Sequence, residues 1–254
     1  MRGARLNDGL SVLTVGSGPA LVVVPGLGAG ADLAERVPRS AEWSARALAT
    51  GLNRTVHLVH RPMWMPDGTS IAELAGWYAA ALRERFDRPV DVLGTSAGGV
   101  TGLQLAMDHP DLVRRLVMLV AASRADERAA RALLESVRRE QRGRSAAWAG
   151  SGLVARGPLR LLVFGAYALG GRRAPGEAAM ATALQGWDVT DRLAEVTAPT
   201  LVIGGTRDRI IPPDLVRATA AGIPDSRLLL LPGRDHLRAM YARQVKPAIE
   251  TFLG

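Results

Sequence analysis

Residues 90–99 read Val90-Asp91-Val92-Leu93-Gly94-Thr95-Ser96-Ala97-Gly98-Gly99, a short apolar run followed by a serine between glycines. The apolar run predicts a buried strand, and the glycines that follow predict a sharp turn into a helix. A nucleophile on such a turn is forced into an unfavourable backbone conformation, so small residues must flank it. Gly94 and Gly98 meet that need. An ordinary glycine-rich connection between a strand and a helix also matches so short a pattern.

Short apolar runs alternate with amphipathic segments on both sides of this turn. This alternation predicts an α/β fold, with a mostly parallel twisted central sheet flanked by helices on both faces. The predicted strands are 10–15, 20–24, 55–60, 90–93, 112–120, 200–203 and 228–231. The predicted helices include one over 31–50 that Pro38 interrupts, 70–86, 97–107, one that begins near 212–214, and one from about 237 to 252.

Three local signals refine this pattern. Gly16-Ser17-Gly18-Pro19 predicts a turn that joins the first two strands as a hairpin. Pro38 interrupts the helical spacing of residues 31–50. Ser70, with Glu73 three residues later, predicts a capping box at the start of the helix 70–86.

The segment 122–185 departs from the alternation because it contains no comparable strand and is rich in alanine and arginine. We interpret it as an insertion of two to four helices in a core formed by residues 1–121 and 186–254. Its apolar residues suggest the wall of an apolar pocket, or simply the contact between the insertion and the core. The residues suggested for the pocket wall are Trp148, Leu153, Val154, Leu161, Phe164 and Tyr167, whereas Leu133, Leu134 and Val137 show only helical spacing.

Two further residues lie where they could act with Ser96. Asp208 follows the next-to-last predicted strand, and His236 follows the last. The carboxyl ends of parallel strands meet at one edge of a sheet, so these three residues are expected to converge. A serine hydroxyl is a weak nucleophile without a base, and a carboxylate orients that base. The alternatives are a capping or ion-pair role for Asp208 and a helix-start position for His236.

Taken together, the sequence resembles the α/β-hydrolase family, of the kind with a helical cap between the sixth and seventh core strands. The elbow around Ser96, the loop 204–212 that carries Asp208 and the loop 233–236 that carries His236 support this resemblance in the order Ser, Asp, His. Some relatives take the acid from the end of the preceding core strand. In this chain that position corresponds to Asp126 or Glu127.

The resemblance also implies an oxyanion hole made by two backbone N–H groups. The corresponding residues are Ala97, which follows the nucleophile, and Leu27, in the loop after the strand 20–24. The family's usual histidine-glycine pair at the start of that loop is Pro25-Gly26 in this chain. The backbone donor is retained, but the orienting histidine is absent.

The implied function is that of a serine hydrolase, which cleaves an apolar ester or related acyl substrate through an acyl-enzyme on Ser96. Acyl transfer, carbon-carbon bond hydrolysis and perhydrolysis use the same triad, and a ligand receptor can share the fold. Serine at the elbow argues against the family branches that use an aspartate nucleophile. No metal or organic cofactor is implied.

Composition argues against several other classes of function. The chain has no cysteine and four histidines, which argues against thiolate and histidine metal sites. A net charge of +8 could favour nucleic acid, but the arginines are scattered among 24 acidic residues and aromatics make up only 4%. The N-terminal residues develop no apolar signal segment, and no apolar stretch is long enough to cross a bilayer. We therefore expect a cytoplasmic protein that binds no nucleic acid and has no membrane span.

Overall fold

The computed structural model describes residues 3–28, 31–142 and 175–254. Its centre is an eight-stranded sheet in the order β1-β2-β4-β3-β5-β6-β7-β8. The pairs from β4 to β8 are parallel, and β1, β2 and β4 pair antiparallel. The strands are β1 Ala4–Arg5, β2 Ser11–Val15, β3 Ala20–Val24, β4 Thr55–His60, β5 Val90–Thr95, β6 Val113–Leu119, β7 Thr200–Gly205 and β8 Ser226–Leu231.

Helices cover both faces of the sheet, as the alternation predicts. In the described residues they are α1 Arg39–Leu52, α2 Ile71–Arg85, α3 Ala97–Asp108, α4 Glu127–Gln141, α5 Pro175–Ala183, α6 Pro213–Gly222, α7 His236–Met240 and α8 Val245–Leu253. None of them is long and apolar enough to cross a membrane.

The sheet separates two apolar clusters because successive side chains of a strand point to opposite faces. Val92 of β5 packs with Leu74 of α2 and Leu103 of α3 on one face. Leu93, the next residue, belongs to the cluster on the other face, with Ala49 of α1 and Ile249 of α8. The turn after β5 is therefore supported from both sides.

The predicted hairpin of the first two strands is wrong. β4 lies between β2 and β3, antiparallel to the former and parallel to the latter. The turn 16–19 passes over the start of β4 instead, and the Thr55 N–H donates to the Pro19 carbonyl oxygen at 3.0 Å. Gly16 and Gly18 adopt positive φ there, and a Cβ on either would lie within 2.6 Å of the backbone oxygen of Arg54 or Asn53.

The start of α2 confirms the predicted capping box. The Ser70 hydroxyl accepts from the Glu73 N–H, and the Glu73 carboxylate accepts from the Ser70 N–H. Pro38 immediately precedes α1, as expected for a residue that cannot continue a helix toward its N-terminus.

The predicted single helix over 237–252 is two helices, α7 and α8, separated by residues 241–244. Ala239, Ala242, Val245 and Ile249 all pack into the same apolar cluster. Their spacing fits one continuous helix, so hydrophobic periodicity could not reveal the break.

The insertion predicted over 122–185 contains α4 and α5 among its described residues, and Leu133 packs against the core. Residues 143–174 lie outside the described part of the chain. The suggested pocket residues Trp148, Leu153, Val154, Leu161, Phe164 and Tyr167 are among them. The division into core and insertion remains a prediction.

Candidate active site

Ser96 occupies a strained position between β5 and α3. Its φ of 51° and ψ of −122° lie outside the regions that non-glycine residues usually occupy. The Ser96 N–H donates to the Leu119 carbonyl oxygen at the end of β6, at 2.9 Å. Ser96 is also the N-cap of α3, but its side chain makes no capping hydrogen bond. The half-buried hydroxyl therefore does not cap the helix.

Gly94 and Gly98 are required by crowding rather than by unusual dihedral angles. A Cβ on Gly98 would lie 2.0 Å from the Val24 carbonyl oxygen, and one on Gly94 would lie 2.4 Å from the Gly98 carbonyl oxygen. Neither glycine has a positive φ. The strain of the turn is instead carried by Ser96 itself.

The structure brings together the three residues expected to converge. The Ser96 Oγ lies 3.2 Å from His236 Nε2, and His236 Nδ1 lies 2.7 Å from the Asp208 Oδ2. A carboxylate can only accept, so the neutral imidazole carries its hydrogen on Nδ1 and offers Nε2 as the acceptor for the serine hydroxyl. The Asp208 side chain is fully buried, and that of His236 is 5% exposed.

Two loops hold the aspartate and the histidine. The second oxygen of Asp208, Oδ1, accepts from the Ile210 and Ile211 N–H groups at 2.8 and 3.1 Å. The Arg207 N–H donates to the Arg234 carbonyl oxygen at 2.9 Å, which links the loop after β7 to the loop after β8. The carboxylate is thereby fixed at both oxygens.

The alternative acids lie elsewhere. Asp126 is the N-cap of α4, where its Oδ1 accepts from the Ala129 N–H at 2.9 Å. Glu127 is exposed and pairs with Arg131. Asp235, beside the histidine, caps α7 by accepting from the Arg238 N–H at 2.9 Å.

The two expected oxyanion donors belong to segments that lie next to the serine. Ala97 is the first residue of α3, where backbone N–H groups have no partner within the helix. Leu27 lies in the loop after β3, which we call the oxyanion loop (residues 25–28). A Cβ on Gly26 of this loop would lie 3.1 Å from the Ser96 Cβ, and the Gly26 N–H donates to the Thr95 hydroxyl at 3.1 Å. Among the described residues, the Leu27 N–H has no hydrogen-bond acceptor.

Two charged residues next to the oxyanion loop were not among the residues predicted from the sequence. Arg61 follows β4 directly, and Glu177 lies in the first turn of α5; they form a buried ion pair. The position of Arg61 at the carboxyl end of a parallel strand was the available signal. Glu177 carries no comparable signal, because its partner is 116 residues away.

The other three histidines lie in β4 or at the end of α3. His60 ends β4 and donates from Nδ1 to the Ala31 carbonyl oxygen at 3.0 Å. Burial lowers the pKa of His60 to about 4, and the adjacent Arg61 acts in the same direction. Burial, assisted by Arg85, also lowers the pKa of His57 to about 4. His109 is the C-cap of α3.

A strained serine after a central strand, next to a buried histidine and aspartate from later strand ends, defines a class of α/β enzyme built around a nucleophile elbow. The family model of the alpha/beta hydrolase fold matches residues 19–240, so the chain belongs to this family of enzymes.

Similar proteins agree with this family. RutD of Variovorax paradoxus strain S110, a proposed carbamate hydrolase, is 29% identical over 199 residues, which cover 70% of this chain and 71% of RutD. A hydrolase from Pseudomonas aeruginosa PA01 superimposes with a TM-score of 0.78 at 22% identity, covering 99% and 97% of the two chains. A thermophilic esterase from Thermogutta terrifontis gives a TM-score of 0.79 at 20% identity, covering 100% and 98%. At these identities, the two structures establish the fold alone.

Proposed function

We propose that the protein is a serine hydrolase that cleaves an apolar ester or related acyl substrate through an acyl-enzyme on Ser96. The hydrogen-bonded series from Ser96 through His236 to Asp208 is the observation that carries this proposal. Each group has the role that its geometry allows: a hydroxyl that does not cap α3, a base whose Nε2 faces that hydroxyl, and a buried carboxylate that orients the base.

The proposed reaction has two halves. His236 takes the Ser96 proton as the oxygen attacks the carbonyl carbon, and the Leu27 and Ala97 N–H groups stabilise the oxyanion. The protonated histidine then gives its proton to the leaving alcohol. Water, deprotonated by His236, attacks the acyl-enzyme; the bond to Ser96 breaks, His236 returns the proton to the serine oxygen, and the acid leaves.

A fluorophosphonate probe tests the nucleophile. It should add one phosphonyl group to the wild-type protein, measured by intact mass, and the modified peptide should contain Ser96. The Ser96→Ala variant should remain unlabelled. Equal labelling of this variant would rule out Ser96 as the nucleophile.

A panel of p-nitrophenyl esters of increasing acyl length tests the substrate class. Turnover of at least one ester by the wild type, and its loss in Ser96→Ala, is expected. Labelling without turnover of any ester or carbamate would instead favour a ligand receptor of the same fold.

A second candidate is carbamate hydrolysis, which the similarity to RutD favours. The same serine, base and oxyanion donors can act on a carbamate carbonyl. An aryl carbamate matched to the best p-nitrophenyl ester decides between the two: a larger kcat/KM for the carbamate would favour this second candidate.

A further inference from the structure

A buried ion pair connects the predicted insertion to the oxyanion loop. Arg61 Nη2 lies 2.5 Å from the Glu177 Oε1, and the two side chains are 6% and 1% exposed. The two members of the pair come from different parts of the chain, since Arg61 follows β4 and Glu177 lies in α5. Desolvation offsets much of the attraction in such a pair, so stability alone is a weak reason for its presence.

Both members of the pair hold the oxyanion loop. Arg61 donates from Nη1 to the Pro25 carbonyl oxygen at 3.3 Å and from Nη2 to the Gly26 carbonyl oxygen at 3.0 Å. The Glu177 Oε2 accepts from the Gly28 N–H at 2.7 Å. Three consecutive peptide groups, from Pro25 to Gly28, are therefore each held at one atom by this pair.

These bonds determine where the Leu27 N–H points. The Gly26 carbonyl and the Leu27 N–H belong to one planar trans peptide, in which oxygen and hydrogen point in opposite directions. Because Arg61 holds the oxygen on its own side, the Leu27 N–H points away from the guanidinium. The Gly26 N–H, bonded to Thr95, fixes the preceding peptide from the side of Ser96.

We propose that Arg61 and Glu177 are positioning residues that orient the Leu27 N–H toward the oxyanion, and that Glu177 makes this orientation depend on the docking of α5. This inference rests on the proposed function. Its second observation is the close seating of α5: the Gly176 N–H donates to the Met63 carbonyl oxygen at 2.9 Å. A Cβ on Gly176 would lie 2.5 Å from the Pro62 carbonyl oxygen.

Glu177→Gln and Arg61→Met test the positioning role. Glutamine has only one acceptor oxygen, so it cannot replace both the Oε1 that accepts from Arg61 and the Oε2 that accepts from Gly28. Methionine at position 61 leaves the Pro25 and Gly26 carbonyl oxygens without this donor. We expect each variant to lower kcat about 10- to 100-fold with little change in KM, less than the roughly 100- to 1,000-fold effect of deleting an oxyanion donor. Unchanged kcat in both variants would overturn the proposal.

A double variant separates positioning from stability. Each single variant leaves one buried charge unpaired, whereas Arg61→Met combined with Glu177→Gln leaves none. The double variant should recover much of the lost resistance to urea while its kcat stays low. If kcat recovers together with stability, the pair is only structural and the proposal is wrong.

Arg54→Met is a control for the loss of a buried arginine, because Arg54 forms an ion pair with the buried Asp91, which Arg114 also contacts, near the amino ends of β4 and β5. It should lower stability and leave kcat within about twofold. A loss of kcat as large as in Glu177→Gln would trace the effect to general destabilisation and overturn the proposal.

Amide hydrogen exchange provides a readout that does not need activity. In ¹⁵N-labelled protein, the Gly28 amide should exchange faster in Glu177→Gln than in Arg54→Met, when the two variants are compared under conditions that give them the same free energy of unfolding. If the wild-type protein shows neither labelling nor turnover, the proposed function is wrong, but the contact between Glu177 and the oxyanion loop is still tested by hydrogen exchange. Unchanged Gly28 exchange would then overturn the inference.

Discussion

His236 Nδ1 lies 2.7 Å from the Oδ2 of Asp208, while the other oxygen of this carboxylate, Oδ1, accepts from the N–H groups of Ile210 and Ile211. The two carboxylate oxygens therefore have different hydrogen-bond partners. One is held by the backbone of its own loop, and the other is left for the imidazole. These partners determine which end of an asparagine amide at position 208 would face His236.

Asp208→Asn should lower kcat about 1,000- to 10,000-fold. The asparagine oxygen would take the place facing the two backbone N–H groups, so its NH₂ would face His236. The imidazole would then have to accept at Nδ1 and carry its hydrogen on Nε2, which prevents it from acting as the base. Steady-state kinetics on the best p-nitrophenyl ester provide the measurement.

The control for this experiment is Asp126→Asn, because asparagine also caps a helix well and Asp126 caps α4. Its kcat should match that of the wild type. If Asp126→Asn were inactive and Asp208→Asn active, the acid would come from the end of β6 instead.

The sequence predicted the strands more completely than their order. Apolar runs identify buried strands, but they carry no information about which strand is the neighbour. The glycine turn 16–19 suggested a hairpin, yet β4 pairs between β2 and β3. The β2–β4 and β4–β3 pairings join segments that are far apart in sequence, and local spacing does not encode such partners.

The same distinction applies to the site. Ser96, Asp208 and His236 each follow a predicted strand, so topology was enough to predict their convergence, which the structure shows. Glu177 belongs to a helix of the predicted insertion, and only the folded chain reveals that it reaches Arg61 and Gly28. The catalytic roles of Ser96, Asp208 and His236 remain predictions.

Gly98→Ala should destabilise the fold by about 1–3 kcal/mol, because its Cβ would lie 2.0 Å from the Val24 carbonyl oxygen. Gly76→Ala is the matched substitution in α2, where a Cβ would meet nothing within 4 Å. It should stabilise the protein by about 0.5–1 kcal/mol. Urea unfolding measures both, and equal effects of the two substitutions would contradict the crowding argument.

Acid should weaken the fold through His60. Its pKa is 6.5 in the unfolded chain and about 4 in the folded protein. Between these values the unfolded chain binds more protons, so the free energy of unfolding falls as the pH drops from 6.5 to 4. The full difference is about 3 kcal/mol.

His60→Asn tests this assignment, since the amide can still donate to the Ala31 carbonyl oxygen but does not titrate. Urea unfolding at pH 7.5 and pH 5 should show a smaller pH-dependent loss in the variant than in the wild type. His57, with its pKa also lowered to about 4, should supply part of the loss that remains. An identical pH dependence in the two proteins would refute the assignment to His60.

Thr95→Val should impair the reaction through the oxyanion loop. Valine has nearly the shape of threonine, but it removes the hydroxyl that accepts from the Gly26 N–H. We expect kcat to fall about 3- to 10-fold and the free energy of unfolding to fall by about 1 kcal/mol, the usual value of one hydrogen bond. Thr95→Ser retains the hydroxyl and loses only a methyl group, so it should stay close to the wild type in kcat. Were both variants equally slow, the lost packing of the methyl group, rather than the hydrogen bond to Gly26, would account for the effect.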